Sequence, residues 1–200
     1  MTAYPDKVRG AMYGVSVGDA LGAPLEFMSA ESIKLQHGTV REMIGGGWLS
    51  VKPGEITDDT QMTLCVAHGI VEFPENPAEA IGRNFVRWYM ERPKDVGATC
   101  AHSISMAMRL AQCSTSPSAK DWRRASQEVH RLTGGKSGGN GALMRTAYVG
   151  LYYRDSSTVI SRAAQIAQMT HYDNVAASDC ATYSLMLHSL AERESEKNGK

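Results

Sequence analysis

Pro53-Gly54-Glu55-Ile56-Thr57-Asp58-Asp59-Thr60 runs straight into an apolar, helix-patterned segment. Two adjacent carboxylates sit between two threonine hydroxyls at the point where that helix begins. Mg²⁺ and Mn²⁺ prefer carboxylate and hydroxyl oxygen to nitrogen or sulfur, so this is the donor set such an ion needs. The plainer reading is a capped helix start, with Thr57 as N-cap and the two acids favoured by the helix dipole. Taken alone, the tetrad favours the plainer reading, and the rest of the sequence must supply the case for chemistry.

Working outward, the hydrophobic periodicity is helical almost throughout. It predicts helices over 6–22, 58–73, 77–91, 97–111, 118–133, 157–169 and 174–193. The segment from 118 is the clearest: Ser118 caps it, and Trp122, Ala125, Val129 and Leu132 share one face. Asp173 or Asn174 caps the last helix. The first carries Val8, Met12 and Val15 at helical spacing, with Gly10, Gly14, Gly18 and Gly22 repeating every fourth position. An interior glycine costs a helix about 1 kcal/mol against alanine. The stripe therefore predicts close approach of another helix, or of ligand, with crowded packing favoured at Gly10 and Gly14. Residues 36–56 are glycine-rich and read as a long loop with short extended pieces at 39–43 and 48–51; loops of this kind are usually functional. No linker, low-complexity tract or internal repeat interrupts the sequence. The expectation is one compact multi-helix, all-α domain over residues 1–200, with a polar, fraying end from Ala191 to Lys200.

Composition narrows the function. Two hundred residues suffice for a real core, and 21 basic against 21 acidic side chains give no electrostatic grip on nucleic acid or an anionic membrane. The N-terminus lacks an apolar signal region and no run approaches a membrane span, so a cytoplasmic protein is expected. Cys65, Cys100, Cys113 and Cys180 form no Cys-x-x-Cys pair, which argues against a zinc site and a disulfide framework. Cys65 and Cys180 fit helical core positions.

Three further patterns join the tetrad. Gly18-Asp19-Ala20-Leu21-Gly22-Ala23-Pro24-Leu25-Glu26-Phe27 closes the first helix and presents Glu26 after a proline break. Asp95-Val96-Gly97-Ala98-Thr99 sets an acid and a glycine before a helix. Ser137-Gly138-Gly139-Asn140-Gly141-Ala142-Leu143-Met144-Arg145 is a glycine-rich turn feeding a short helix, with Thr170-His171 downstream. Several residues read two ways. Asp19 is a structural acceptor or a ligand, and Asp95 alone is more often a helix cap. His171 is a packed histidine or a cleft residue, and Arg145 a phosphate partner or a helix-surface cation. Trp48 stacks on adenine or, by preference, buries its loop. His68 and His102 read as core or surface residues; Asp6, Asp121 and Asp155 as surface or cap positions.

In this order the patterns resemble the ADP-ribosylglycohydrolase family, over essentially the whole sequence. The resemblance implies an all-α fold holding two Mg²⁺ or Mn²⁺ ions in a cleft. It implies hydrolysis of the bond between ADP-ribose and a protein side chain, with an ADP-ribosylated protein or a small ADP-ribose conjugate as partner. Glu26, Thr57, Asp58 and Asp59 would help to bind metal, and Asp95 would lie beside it as the acid that activates water, with Glu26 as the other proton acceptor. Ser137, Gly138, Gly139, Asn140 and Gly141 would hold the diphosphate, and His171 would line the substrate cleft. Glycines let backbone N–H groups approach phosphate oxygens, and a following helix N-terminus would add positive potential.

One departure stands out. The family continues into a C-terminal Asp-x-Asp-Thr motif, and this sequence has no Asp-x-Asp. Either the sequence is a fragment or a domain truncated at its C-terminus relative to the family, or its metal affinity and activity are badly weakened; raised acid pKa values without cation and an exposed apolar face are expected. A relative that only binds ADP-ribose or serves structurally is the alternative. A generic metal phosphohydrolase is another rival. A phosphate-binding NTPase loop at Gly135-Lys136-Ser137 is rejected, because His130 stands where that motif needs glycine.

Overall fold

The apolar run behind Thr60 becomes the centre of the molecule. In the computed structural model, which describes residues 4–112 and 115–193, it forms a helix whose Met62, Val66 and Ile70 are fully buried. Their four-residue spacing puts all three on one stripe, and each burial contributes roughly 1.5–3 kcal/mol. Around it the described residues form nine α-helices and no strand: α1 (Tyr4–Gly22), α2 (Ala30–His37), α3 (Asp58–Glu72), α4 (Ala78–Met90), α5 (Ala98–Leu110), α6 (Ala119–Leu132), α7 (Ala147–Tyr152), α8 (Ser156–Ala167) and α9 (Asn174–Glu192). Short 3-10 turns lie at Ala23–Leu25 and Leu143–Arg145. The all-α expectation holds. No helix among the described residues is long and apolar enough to cross a membrane.

Helix α3 packs against α4 and touches α1, α7 and the turn at Leu143–Arg145; α5 pairs with α6, and α8 with α9. Phe85 of α4 meets Trp122 of α6 edge to face, with ring centroids 6.1 Å apart. Caps fall where the sequence puts them. Ser118 and Asp121 form a reciprocal capping box on α6, while Asp155 caps α8 and Asp173 caps α9.

Several expectations are corrected. Helix α2 lies partly inside the expected loop: it buries no residue and leaves Leu35 in water, so it has no apolar face to read. Helix α7 was missed because six residues are too few to show a period. In place of extended pieces at 39–43 and 48–51, Gly46 and Val51 exchange backbone hydrogen bonds of 2.7 and 3.0 Å around a tight turn. Leu132, at the end of α6, is exposed rather than part of its buried face. The glycine stripe of α1 is not crowded. A Cβ at Gly10, Gly14, Gly18 or Gly22 would meet nothing within 4 Å. Beside it Tyr13 and Val17 lie exposed, so this face of α1 is open and in part apolar. Cys180 is buried and Cys65 half-buried. Cys113 and the polar tail from 194 onward lie outside the described residues.

Candidate active site

The site begins with a contact between two distant helices. Asp19, near the end of α1, accepts hydrogen bonds from the Thr57 and Thr60 backbone N–H groups at 2.9 and 3.1 Å. It also accepts from both threonine hydroxyls, at 2.7 and 2.5 Å. Thr57 occupies the N-cap position of α3 but makes no capping bond itself; Asp19 satisfies the orphan donors from outside the helix. Asp19 is thus a structural acceptor, and the hydroxyl protons of the tetrad are committed to it.

Asp58 and Asp59, the first residues of α3, face a cleft of about 380 Å³ that Glu26 and Asp95 also line. A neighbouring recess of about 310 Å³ shares Glu26, Asp59 and Asn140 and extends to Asp19 and Thr57. Glu26 arrives on the residue after the Ala23–Leu25 turn. Asp95 precedes α5, next to Lys94, which forms a 2.6 Å ion pair with Glu55 and ties that segment to the loop leading into α3. Four carboxylates from three distant stretches of the sequence therefore share one cavity.

Their electrostatics reflect that crowding. Burial, then the charges of Asp95 and Asp59, push the Asp58 carboxyl up to about 7, against a hydrogen bond from the Gly97 backbone. Asp59 is pushed up to about 6 by burial and by Asp19, Glu26 and Asp95, partly offset by a hydrogen bond from the Asn140 side chain. Asp95 is raised as well, by burial and then by Glu26. This is the behaviour of acids brought together without a counter-charge. The donors are all hard oxygen, which fits a divalent cation in chemistry. Yet among the described residues no three His, Cys, Asp or Glu side chains stand close enough together to hold one ion.

The glycine-rich loop forms the wall beside Asp59, but only part of it reaches the cleft. Gly139, Asn140 and Gly141 line it, with His171 behind them. A Cβ at Gly141 would stand 2.8 Å from Cys100 Sγ and 3.1 Å from the His171 ring, so only glycine lets the loop lie this close. Ser137 does not face the cleft. It is fully buried, its hydroxyl 2.7 Å from His130 Nδ1, where it anchors the loop. Gly138 instead passes the Asp173 carboxylate. A three-residue 3-10 turn follows, which offers little helix dipole for a phosphate.

Arg145 departs furthest from expectation. It is fully buried, neither a surface cation nor a cleft residue. Its guanidinium donates to the Gly141 carbonyl at 2.9 Å, the Ile166 carbonyl at 3.0 Å and the Thr170 hydroxyl at 2.7 Å, and lies over the Phe85 ring. The Thr170 hydroxyl in turn lies 2.7 Å from His171 Nδ1. Burial, then the Arg145 charge, drives the His171 pKa down to about 3, so the imidazole is neutral at pH 7.

Sequence reasoning missed Phe27 and ranked a cleft role for Trp48 second to burial. Both line the cavity, and Trp48 is 55 % exposed rather than buried with its loop. The readable signal was their position flanking Glu26 and the glycine run at 45–47. His68 and His102 are exposed, as one of the two readings had it.

Several known proteins are similar to this chain. The chain is 33% identical over 192 residues to the ADP-ribosyl-[dinitrogen reductase] glycohydrolase of Rhodospirillum rubrum, covering 92% of this chain and 58% of that protein. It is 29% identical over 184 residues to the ADP-ribosylarginine hydrolase Tri1 of Pseudomonas putida, covering 92% and 46%. A solved structure of an ADP-ribosylglycohydrolase-related protein complex superposes with a TM-score of 0.69 at 28% identity, over 94% of this chain and 56% of that one. The protein thus spans about half the length of the relatives it matches. The sequence profile of one family, described as ADP-ribosylglycohydrolase, matches residues 1–199, and the chain belongs to that family.

Proposed function

We propose that this protein holds the acid cluster and nucleotide-sugar loop of a metal-dependent hydrolase that removes ADP-ribose from modified side chains. The observation that carries this reading is the convergence of Glu26, Asp58, Asp59 and Asp95 on the cleft walled by Gly139–Gly141 and His171. Backbone groups of the loop would bind the diphosphate, leaving the distal ribose against the acids. Glycosidic cleavage passes through an oxocarbenium-like state with water on one face and the leaving group on the other. Asp95, held near the cluster with its basicity raised, would take a proton from that water as its oxygen bonds to the anomeric carbon. The bond from that carbon to the side-chain nitrogen or oxygen breaks, and the leaving atom takes up the proton that Asp95 accepted, which regenerates the carboxylate. Neutral His171 would wall the cleft without repelling the developing cation.

Glu26, Thr57, Asp58 and Asp59 are the residues that would hold Mg²⁺ or Mn²⁺. Such an ion, when bound, orients ribose hydroxyls and lowers the pKa of water. The test is release of free ADP-ribose from an ADP-ribosyl-arginine protein and an ADP-ribosyl-serine peptide, with and without Mn²⁺. Asp58→Ala with Asp59→Ala should abolish the metal-dependent part, and unchanged Mn²⁺ affinity in that variant would defeat the ligand assignment.

A second reading, ADP-ribose binding without turnover, is favoured by one observation: among the described residues, no three His, Cys, Asp or Glu side chains lie close enough to cage an ion. Calorimetric binding of ADP-ribose with no release from either substrate would establish it.

A further inference from the structure

We propose that Phe27 and Trp48 form the platform that receives the departing side chain, and that they select a planar cation of the guanidinium class. This deepens the hydrolase reading above and rests on it.

Two aromatic rings stand in water at this cleft. Phe27 is 83 % exposed and Trp48 55 %, whereas Trp88 and Trp122 are buried. The two rings meet edge to face with centroids 5.4 Å apart. Their placement is built. Phe27 has φ +62°, a left-handed conformation that a bulky residue rarely adopts. Gly47, at φ +68°, has its Cβ position 2.7 Å from the Pro24 backbone, so only glycine lets that turn lie on the Ala23–Leu25 segment. The close approach brings Trp48 beside Glu26, where the indole N–H donates to the carboxylate at 2.9 Å. That bond fixes the ring and satisfies its polar edge, leaving the π face for a ligand.

The position argues for the leaving group rather than adenine. A diphosphate lies between adenosine and the distal ribose. With the diphosphate on the loop and the ribose on the acids, adenine falls beyond the loop. Trp48 instead bonds to an acid of the cluster, on which the scissile carbon would sit. The preference for a cation follows from charge. The indole N–H donates to the Glu26 carboxylate, and that bond polarises the ring toward a more electron-rich face. Guanidinium is planar, weakly hydrated and stacks on Trp more readily than ammonium does, whereas a seryl oxygen gains nothing from either feature.

The experiment has a binding arm and a turnover arm. Trp48 is the exposed tryptophan, so N-acetylarginine amide should quench fluorescence saturably. N-acetylcitrulline amide, neutral and of the same shape, should bind at least tenfold more weakly, and calorimetry should show that Trp48→Ala removes the difference. In turnover, Trp48→Ala should lower kcat/KM for the arginine-linked substrate about 2- to 30-fold, with Trp48→Phe intermediate. The serine-linked substrate should lose less, so that the ratio of arginine- to serine-linked kcat/KM falls while the affinity for free ADP-ribose stays within twofold; equal losses on the two substrates would overturn the inference. Equal binding of the two amides overturns the inference, as does an equal loss of ADP-ribose affinity, which would place adenine on the ring. If wild type neither binds ADP-ribose nor releases it from either substrate, the hydrolase reading fails, and the amide comparison still decides the platform.

Discussion

At the scale of single residues, the polar groups in this protein take their roles from partners far along the sequence. Asp19 lies 38 positions before Thr57, yet it supplies the cap that α3 lacks. Asp19→Asn keeps the shape but loses the charge and half of the acceptor capacity. It should destabilise the fold by about 1–2 kcal/mol, read by urea denaturation. Because the Asp19 charge helps to hold Asp59 up near 6, the same variant should lower the Asp59 pKa, measurable by carboxyl-carbon NMR titration; an unmoved titration would separate the two carboxylates. The acids of the cleft were legible in sequence because each sits in a short motif at a helix terminus, Glu26 after an end and the three aspartates at or before a start. Arg145 was not. Its partners lie in two segments, the loop at 141 and the end of α8 with its following turn at 166 and 170, and only the fold turns them toward one guanidinium. Trp48 was half legible: its exposure follows from Gly47 packing on Pro24, a contact no local pattern announces.

At the scale of elements, glycine in a helix has opposite meanings that the sequence alone does not separate. Gly150 in α7 faces the Ser184 carbonyl of α9, where a Cβ would lie 1.9 Å from the oxygen. Gly150→Ala must push two helices apart and should destabilise by about 1–3 kcal/mol. Gly14 in α1 faces open space, so Gly14→Ala should stabilise by about 0.5–1 kcal/mol through helix propensity. Thermal melts of the two variants should shift in opposite directions; destabilisation by Gly14→Ala would mean that this face is occupied in solution. Most long helices were readable because they carry a buried stripe with a period near four, as in Met62, Val66 and Ile70, whereas α1 buries only Ala20 and shows its period in half-buried Val8, Met12 and Val15. Helix α2 buries nothing, and α7 is shorter than two turns, so neither has a period to detect.

At the scale of the whole molecule, the acid cluster should set how stability depends on pH. A carboxyl whose pKa is raised on folding keeps its proton in the native state after the unfolded polypeptide has released it. Stability is then fully present below the unfolded pKa near 4 and falls as pH rises toward the folded value. Asp58 extends that fall to about 7 and Asp59 to about 6, and Asp95 shifts in the same direction. His171 works the other way. With its folded pKa lowered to about 3, it contributes stability that grows between that value and the unfolded 6.5. Several carboxyls outweigh one imidazole, so without divalent cation the protein should be more stable near pH 5 than near pH 7.5. Asp58→Asn should remove the part of the slope that extends above pH 6. A bound cation reverses the logic, because it binds the ionised acids of the native state and must compete with protons for them. Millimolar Mn²⁺ should therefore raise the melting temperature at pH 7.5, do so much less at pH 5, and leave the Asp58→Ala, Asp59→Ala variant unmoved at either pH. A melting temperature that ignores both pH and Mn²⁺ would mean that these carboxylates do not form one charged cluster in solution.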